Sequence, residues 1–197
     1  MRKAFFILKK SSNKNHTMKN EFTLTIYSED QLKLINKLAA MFLRKQIKIL
    51  SLNISDCEID KMYRHTIVVN ETLPDVINLS AQIEKIIEVY KCYYHLNEET
   101  VFRQMALFKI PTEVFMTDLK LEILLRENNF KISEVHREYT IIQAIGTEDE
   151  IAFLTQKLSS LGLIEFVKSS RISLIKSNEC FDADSLEMNV KNNSLAL

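Results

Sequence analysis

Histidine is the residue type best suited to catalysis or metal binding here, and the 197 residues contain four. They stand far apart along the chain, as His16, His65, His95 and His136. None has a second His or Cys at the short spacing that metal ligands use. The sequence therefore predicts structural or solvent-exposed roles for the histidines, and no metal site.

Cysteine chemistry is the next candidate, and three cysteines are present: Cys57, Cys92 and Cys180. An odd number without C-x-x-C spacing is typical of a reduced cytoplasmic protein rather than a disulfide framework. Cys57 lies in a polar stretch where only Lys61 and Arg64 supply nearby positive charge, which is too little to indicate a reactive thiol. Cys92 lies in an aromatic strand and is predicted to be buried.

Composition excludes several function classes. Two glycines in the whole chain leave no G-x-S-x-G nucleophile turn and no Gly-rich phosphate loop. Lys plus Arg equals Asp plus Glu at 26 each, so no overall field attracts nucleic acid or an anionic membrane. No apolar run approaches the roughly 20 residues that cross a bilayer. We therefore predict a chain without catalytic residues, nucleic acid or membrane partner, located in the cytoplasm.

The elements that position these residues follow one order twice. Apolar periodicity predicts strand, helix, strand, strand, helix, strand over residues 21–96 and again over 102–176. This βαββαβ order predicts an α+β fold of two tandem ferredoxin-like modules. Residues 1–20 are predicted to be a flexible leader and residues 177–197 a disordered tail.

Helix boundaries in the first module follow from capping signals. Ser28 with Gln31 predicts a capping box at the first helix, and Thr72 with Asp75 predicts the start of the second. The apolar face of the first helix is predicted as Leu32, Ile35, Leu38, Ala39 and Phe42. That of the second helix is predicted as Val76, Leu79, Ile83, Ile86 and Ile87.

In the second module one continuous helix is predicted over residues 112–127, followed by a hairpin. Thr147 with Glu150 forms a capping box for the last helix, and Gly162 stands where a left-handed cap ends it. A single closing strand is predicted over residues 166–174.

Several stretches resemble the regulatory small subunit of acetolactate synthase (acetohydroxyacid synthase). The stretches are Phe22–Phe42 with Arg44–Leu52, Gln82–Ile110, Glu138–Gly146, Ile151–Leu154 and Gly162–Glu165. The resemblance spans about residues 21–176. It implies that the first module is an ACT domain, that ACT domains pair into a homodimer, and that the chain regulates a separate catalytic large subunit of branched-chain amino acid biosynthesis. Thiamine diphosphate, Mg and FAD are then expected on that partner and not on this chain.

The resemblance also implies an effector site for valine at the start of the first helix, at Asp30, Lys33 and Leu34, with Lys48 supplied by a neighbouring subunit. The family has Asn and Gly where this chain has Asp30 and Lys33. A second carboxylate about 4 Å from that of valine costs on the order of 4 kcal/mol at an effective dielectric near 20. We therefore expect a degenerate site. The family's Arg-Thr-Gly-like turn in the second domain is also replaced, by Lys168–Ser170.

Other functions remain open at this point. The first alternative is a free-standing ACT sensor for another amino acid, regulating a different enzyme or a transcription factor. An RNA-binding module has the same strand order, but residues 62–70 lack its glycines and hold one aromatic residue, Tyr63. A third possibility is an acylphosphatase-type enzyme, which needs a loop Arg and an Asn on one oxyanion, and the sequence alone does not assign such a pair.

Overall fold

The computed structural model describes residues 18–128 and 130–177, and these contain two βαββαβ modules. The first consists of β1 Asn20–Ser28, α1 Gln31–Lys45, β2 Ile49–Asp56, β3 Tyr63–Glu71, α2 Leu73–Ile83 and β4 Val89–Leu96. Its antiparallel sheet has the order β2-β3-β1-β4. Phe22, Leu24 and Ile26 of β1 alternate into a core beneath the two helices.

The second module follows after a short 3-10 turn, Asn97–Glu99. It consists of β5 Thr100–Pro111, α3 Thr112–Thr117, α4 Leu119–Glu127, β6 Lys131–Val135, β7 Tyr139–Gly146, α5 Glu148–Ser159, β8 Glu165–Lys168 and β9 Ile172–Ile175. The sheet order is β6-β7-β5-β8, and β9 also pairs with β5. The predicted α+β class with two tandem ferredoxin-like modules is confirmed.

The predicted cap of α1 was wrong, and its predicted apolar face was right only for Leu38 and Phe42. Ser28 is buried in β1, and Asp30 caps the helix instead. The buried stripe is Leu34, Leu38, Met41 and Phe42. Leu32 lies about 200° around the helix from Leu34, because each residue turns it by about 100°, and Leu32 is exposed. Both stripes have helical spacing and share Leu38 and Phe42, so periodicity alone did not distinguish them.

Helix α2 starts as predicted, since the Asp75 backbone N–H donates to Thr72 Oγ1 over 3.3 Å. The helix ends at Ile83, whereas the predicted apolar face extended to Ile87. Ile87 therefore lies beyond the helix and is 95% exposed, so its assignment to the core was wrong.

The predicted helix over 112–127 is interrupted. Asp118 has an extended backbone (φ −99°, ψ 91°) that ends α3. Its carbonyl oxygen accepts a hydrogen bond from the Leu121 backbone N–H over 3.0 Å at the start of α4. The break turns α4 so that Leu121 and Leu125 are buried.

Helix α5 starts as predicted, but it ends at Ser159 with Ser160 as its C-cap, two residues before the predicted cap Gly162. Thr147 and Glu150 form the reciprocal capping box, with the Thr147 N–H donating to Glu150 Oε2 over 2.7 Å. Gly162 adopts φ 85°, the left-handed conformation that glycine tolerates best.

The predicted closing strand is two strands, β8 and β9, separated by residues 169–171. Lys168 lies opposite Ala106 and Ile172 lies opposite Arg103, so four steps on one strand match three on β5. This is a one-residue β-bulge, which bends a strand and re-aims a side chain. Here it turns Arg171 toward the first module.

No helix within 18–128 and 130–177 is long and apolar enough to cross a membrane. The predicted leader and tail fall almost wholly outside the described residues, as do His16 and Cys180.

Candidate functional site

The start of α1, where the effector site is predicted, is occupied by the chain's own charges. Asp30 Oδ1 accepts a hydrogen bond from the Lys33 backbone N–H over 2.9 Å, and Lys33 Nζ lies 3.1 Å from Asp30 Oδ2. The hydrogen bond from the Lys33 N–H, followed by that from its ammonium, holds the pKa of Asp30 below its usual value. Hydrogen bonding to Asp30 raises the pKa of Lys33.

This pairing has a chemical consequence. A helix N-terminus attracts an anion because its first N–H groups lack intrahelical partners. At α1 the carboxylate of Asp30 already takes one of these groups and carries the favoured negative charge. An incoming carboxylate must displace it or lie beside it.

Leu34 and Lys48 do not join Asp30 in one site within a single chain. Leu34 is fully buried in the first core. Lys48 is exposed after the other end of α1, and a 15-residue helix is about 22 Å long. A shared site would need Lys48 from a second copy, as the family resemblance implies.

The loop before α1 is hydrogen-bonded to β4 and to the residue that precedes β4. The Glu29 N–H donates to the Glu88 carbonyl oxygen over 3.1 Å, and the Tyr90 hydroxyl donates to the Glu29 carboxylate. Lys37 forms an ion pair with Glu88, and its hydrogen bond is the main reason that the pKa of Glu88 is lowered. The backbone on one side of the predicted site is therefore held in place.

The buried histidine and cysteine are core residues, as predicted. The ring of His65 lies 2.9 Å from Ser28 Oγ through Nε2, and burial lowers the pKa of His65 to about 4. Burial raises the pKa of the Cys92 thiol to about 12. In the described part of the chain no three His, Cys, Asp or Glu residues are grouped to hold a metal ion.

A second constellation, which the sequence interpretation missed, lies between the modules around Arg171. The guanidinium donates to Glu148 Oε1 from Nε (2.8 Å), to Glu21 Oε1 from Nη2 (2.6 Å) and to Asn97 Oδ1 from Nη1 (2.9 Å). A longer bond of 3.3 Å joins Nη1 to Thr23 Oγ1. Arg171 is only 2% exposed, so this is a buried charge with partners in both modules.

The groups around the Arg171 guanidinium interact favourably with its positive charge. Burial by itself raises the pKa of Glu21. Hydrogen bonds from Asn97 and Arg171, together with the positive charge of Arg171, lower it by more than burial raises it, so the resulting pKa lies below the usual value. The guanidinium carbon also lies 4.0 Å from the centre of the Phe102 ring, a cation–π geometry.

An open cleft of about 370 Å³ adjoins Arg171 at the junction of the modules. The replaced turn Lys168–Ser170 forms one wall, and β2 forms another. Ser170 Oγ donates to Asn53 Oδ1 over 3.2 Å, and the Arg171 N–H donates to Ser51 Oγ over 3.2 Å. The turn therefore connects the second module to the open face of the first sheet.

One sequence signal could have identified Arg171. It is a charged residue inside an otherwise apolar stretch predicted as strand, after the polar pair Ser169–Ser170. A charge at such a position requires partners, because burying it unpaired is costly.

The comparisons with known proteins agree with one another. The family model described as the small subunit of acetolactate synthase matches residues 103–177. The acetolactate synthase small subunit of Mycobacterium bovis is 28% identical over 154 residues, covering 77% of this chain and 90% of the relative. The probable small subunit of Archaeoglobus fulgidus is 25% identical over 159 residues, covering 80% and 98%.

A solved structure supports the same fold. The crystal structure of the acetolactate synthase small subunit from Thermotoga maritima aligns with a TM-score of 0.72 at 22% identity, covering 81% of this chain and 99% of that one. The resemblance read from the sequence is confirmed: the chain is similar to acetolactate synthase small subunits over most of its length, and residues 103–177 match their family model.

Proposed function

We propose that this protein is the regulatory subunit of an acetolactate synthase, which binds and stimulates a separate catalytic subunit in branched-chain amino acid biosynthesis in the cytoplasm. The observation that carries the proposal is the similarity to named small subunits, which runs through both modules and covers 90% or more of the two relatives described above. The catalytic subunit would hold thiamine diphosphate, Mg and FAD.

The effector site is proposed to be degenerate. The ion pair of Asp30 with Lys33, and the Asp30 cap on the Lys33 N–H, support this. A valine carboxylate there would meet a fixed negative charge and a long side chain where the family has glycine. The protein would then stimulate its partner with weak feedback by valine, or none.

A homodimer through the ACT domains is also part of the proposal. In the described chain β2 and β4 are the edge strands of the first sheet. Each presents unpaired backbone groups, which proteins normally cover. Pairing of two such edges would extend the sheet and bring Lys48 of one copy near α1 of the other. Sedimentation is expected to give a dimer or larger assembly at micromolar concentration.

The test is a titration of the full-length protein into its purified catalytic subunit, with acetolactate formation as the readout. We expect turnover to rise to saturation with added protein and to be absent for the protein alone. Unchanged turnover across the titration would remove this function and favour a free-standing ACT sensor.

A further inference from the structure

The cleft at the junction of the modules is lined by two carboxylates that share one positive charge. Glu21 Oε1 and Glu148 Oε1 lie 2.6 Å and 2.7 Å from Nη2 of Arg171. All three residues line the cleft, and the two glutamate side chains are 33% and 36% exposed. Two negative charges beside one guanidinium leave one negative charge unbalanced. This part of the cleft therefore favours a cation.

A positive charge in the cleft has no ion-pair partner. Lys168 lines the cleft, is exposed, and forms no salt bridge within the described part of the chain. It lies opposite Ala106 in the pairing of β8 with β5, and Gln104 is two residues from Ala106 along β5. Because side chains alternate along a strand and paired residues share a face, Lys168 and Gln104 are on the same face of the sheet.

Gln104 is a polar side chain whose amide nitrogen is unsatisfied. It is 5% exposed, and its Nε2 has no hydrogen-bond partner among the described residues. Leaving a buried donor unpaired is costly, and folded proteins retain few such groups. Since Gln104 lines the cleft, its amide can turn to donate to an acceptor oxygen there. Lys168 and Gln104 together favour a carboxylate.

Apolar residues of the first sheet supply a third kind of contact. Leu50, Leu52 and Val68 line the cleft, and Leu50 is 45% exposed. Covering this side chain with an apolar part of a ligand is favourable, because it removes apolar surface from water. The volume of about 370 Å³ lies near the lower end of the range for small-molecule sites, so it suits a ligand of metabolite size.

We propose that the cleft binds a small zwitterion with an apolar chain, which is the chemistry of an apolar amino acid. The ammonium group lies beside Glu21 and Glu148. The carboxylate accepts from Lys168 and Gln104, and the chain covers Leu50. An anion alone would meet the surplus negative charge, and a cation alone would leave Lys168 unpaired. The cleft is separate from the effector site at α1, so this inference goes beyond the proposed function.

An NMR titration of the full-length protein with L-norleucine to millimolar concentration tests the site. Two analogues divide the ligand: hexanoate lacks the ammonium group, and pentylamine lacks the carboxylate. We expect norleucine to shift the resonances of residues that line the cleft. Both analogues should bind at least about tenfold more weakly, because each loses one charged contact.

Two variants assign the contacts. Lys168→Gln removes the ammonium group of the protein, and it should weaken norleucine binding about tenfold while leaving pentylamine unchanged. Gln104→Met removes the unpaired amide at similar length. It should weaken norleucine binding about threefold and raise the Tm of the unliganded protein. Lys131→Gln, at an exposed lysine of β6, is the control and should change binding by less than about twofold.

Each outcome supports or overturns the site. No shifts in the cleft at millimolar norleucine would overturn it, and so would equal binding of hexanoate or of pentylamine. Shifts confined to the start of α1 would assign norleucine to that site instead. Full affinity in Lys168→Gln would also overturn the proposal. Stimulation of the catalytic subunit is not measured here, so failure of this site leaves the proposed function intact.

Discussion

Arg171 and Glu21 are 150 positions apart in the sequence, and Nη2 of one lies 2.6 Å from Oε1 of the other. Glu21 lies in β1 of the first module. Arg171 lies in the bulge between β8 and β9 of the second module. The same guanidinium also binds Glu148 at the start of α5. One buried side chain therefore joins the two modules and fixes the wall of the cleft between them.

Arg171→Met is expected to lower the free energy of unfolding by about 2–3 kcal/mol. Removing one partner of a buried ion pair costs about 3–5 kcal/mol, and the partial exposure of Glu21 and Glu148 reduces this. Urea unfolding measures it, with Arg126→Met as a surface control that loses about 0.5 kcal/mol or less. A loss for Arg171→Met no larger than that control would mean that Arg171 does not hold the modules together.

Glu21 is expected to make the free energy of unfolding depend on pH in the acidic range. Its pKa lies below the usual 4.5 in the folded state, so the unfolded state takes up a proton first as pH falls. Its contribution is present above pH 4.5 and is lost as pH falls through the folded pKa. Unfolding curves between pH 6 and pH 3 should show a steeper loss for the unmodified protein than for Glu21→Gln. Parallel curves would contradict the pairing with Arg171.

His65 is expected to add a second pH dependence at higher pH. Its folded pKa is about 4 and its ordinary value is 6.5, so the unfolded state binds more protons between these values. Stability should fall by about 3 kcal/mol as pH drops from 6.5 to 4. His65→Phe should abolish this dependence, while His95→Phe, at a partly exposed position, should retain it. The same slope in both variants would show that another group titrates.

Asp30→Asn combined with Lys33→Gly is expected to strengthen valine binding by at least about tenfold. The change removes the fixed negative charge and the long side chain from the N-terminus of α1. Calorimetry on both proteins measures the gain, and Asp75→Asn at the start of α2 serves as the control. Tight binding by the unmodified protein, with no gain in the double variant, would show that the ion pair does not block the site.

Local signals in the sequence determined most of the elements. The alternation of Phe22, Leu24 and Ile26 and the reciprocal cap of Thr147 with Glu150 are encoded within a few residues, and both are present in the fold. The positive φ of Gly162 is also encoded locally, because glycine itself tolerates this backbone conformation. The doubled βαββαβ order follows from such local periods.

The packing of α1 against the sheet decided which face of the helix is buried. Leu32 and Leu34 both fit a helical stripe with Leu38 and Phe42, and only contact with the sheet selected Leu34. The ion pair of Asp30 with Lys33 similarly depends on where α1 begins, which the predicted Ser28 cap placed too early.

The partners of Arg171 were decided by the tertiary structure alone. They come from Glu21, Asn97 and Glu148, which no spacing rule connects, and a bulge in β-sheet pairing turns the guanidinium toward them. The sequence by itself determined that a charge in an apolar stretch would need partners. Which groups met it depended on how the two modules pack against each other, because a contact between residues as far apart in the sequence as Glu21 and Arg171 is set by packing and not by local propensity.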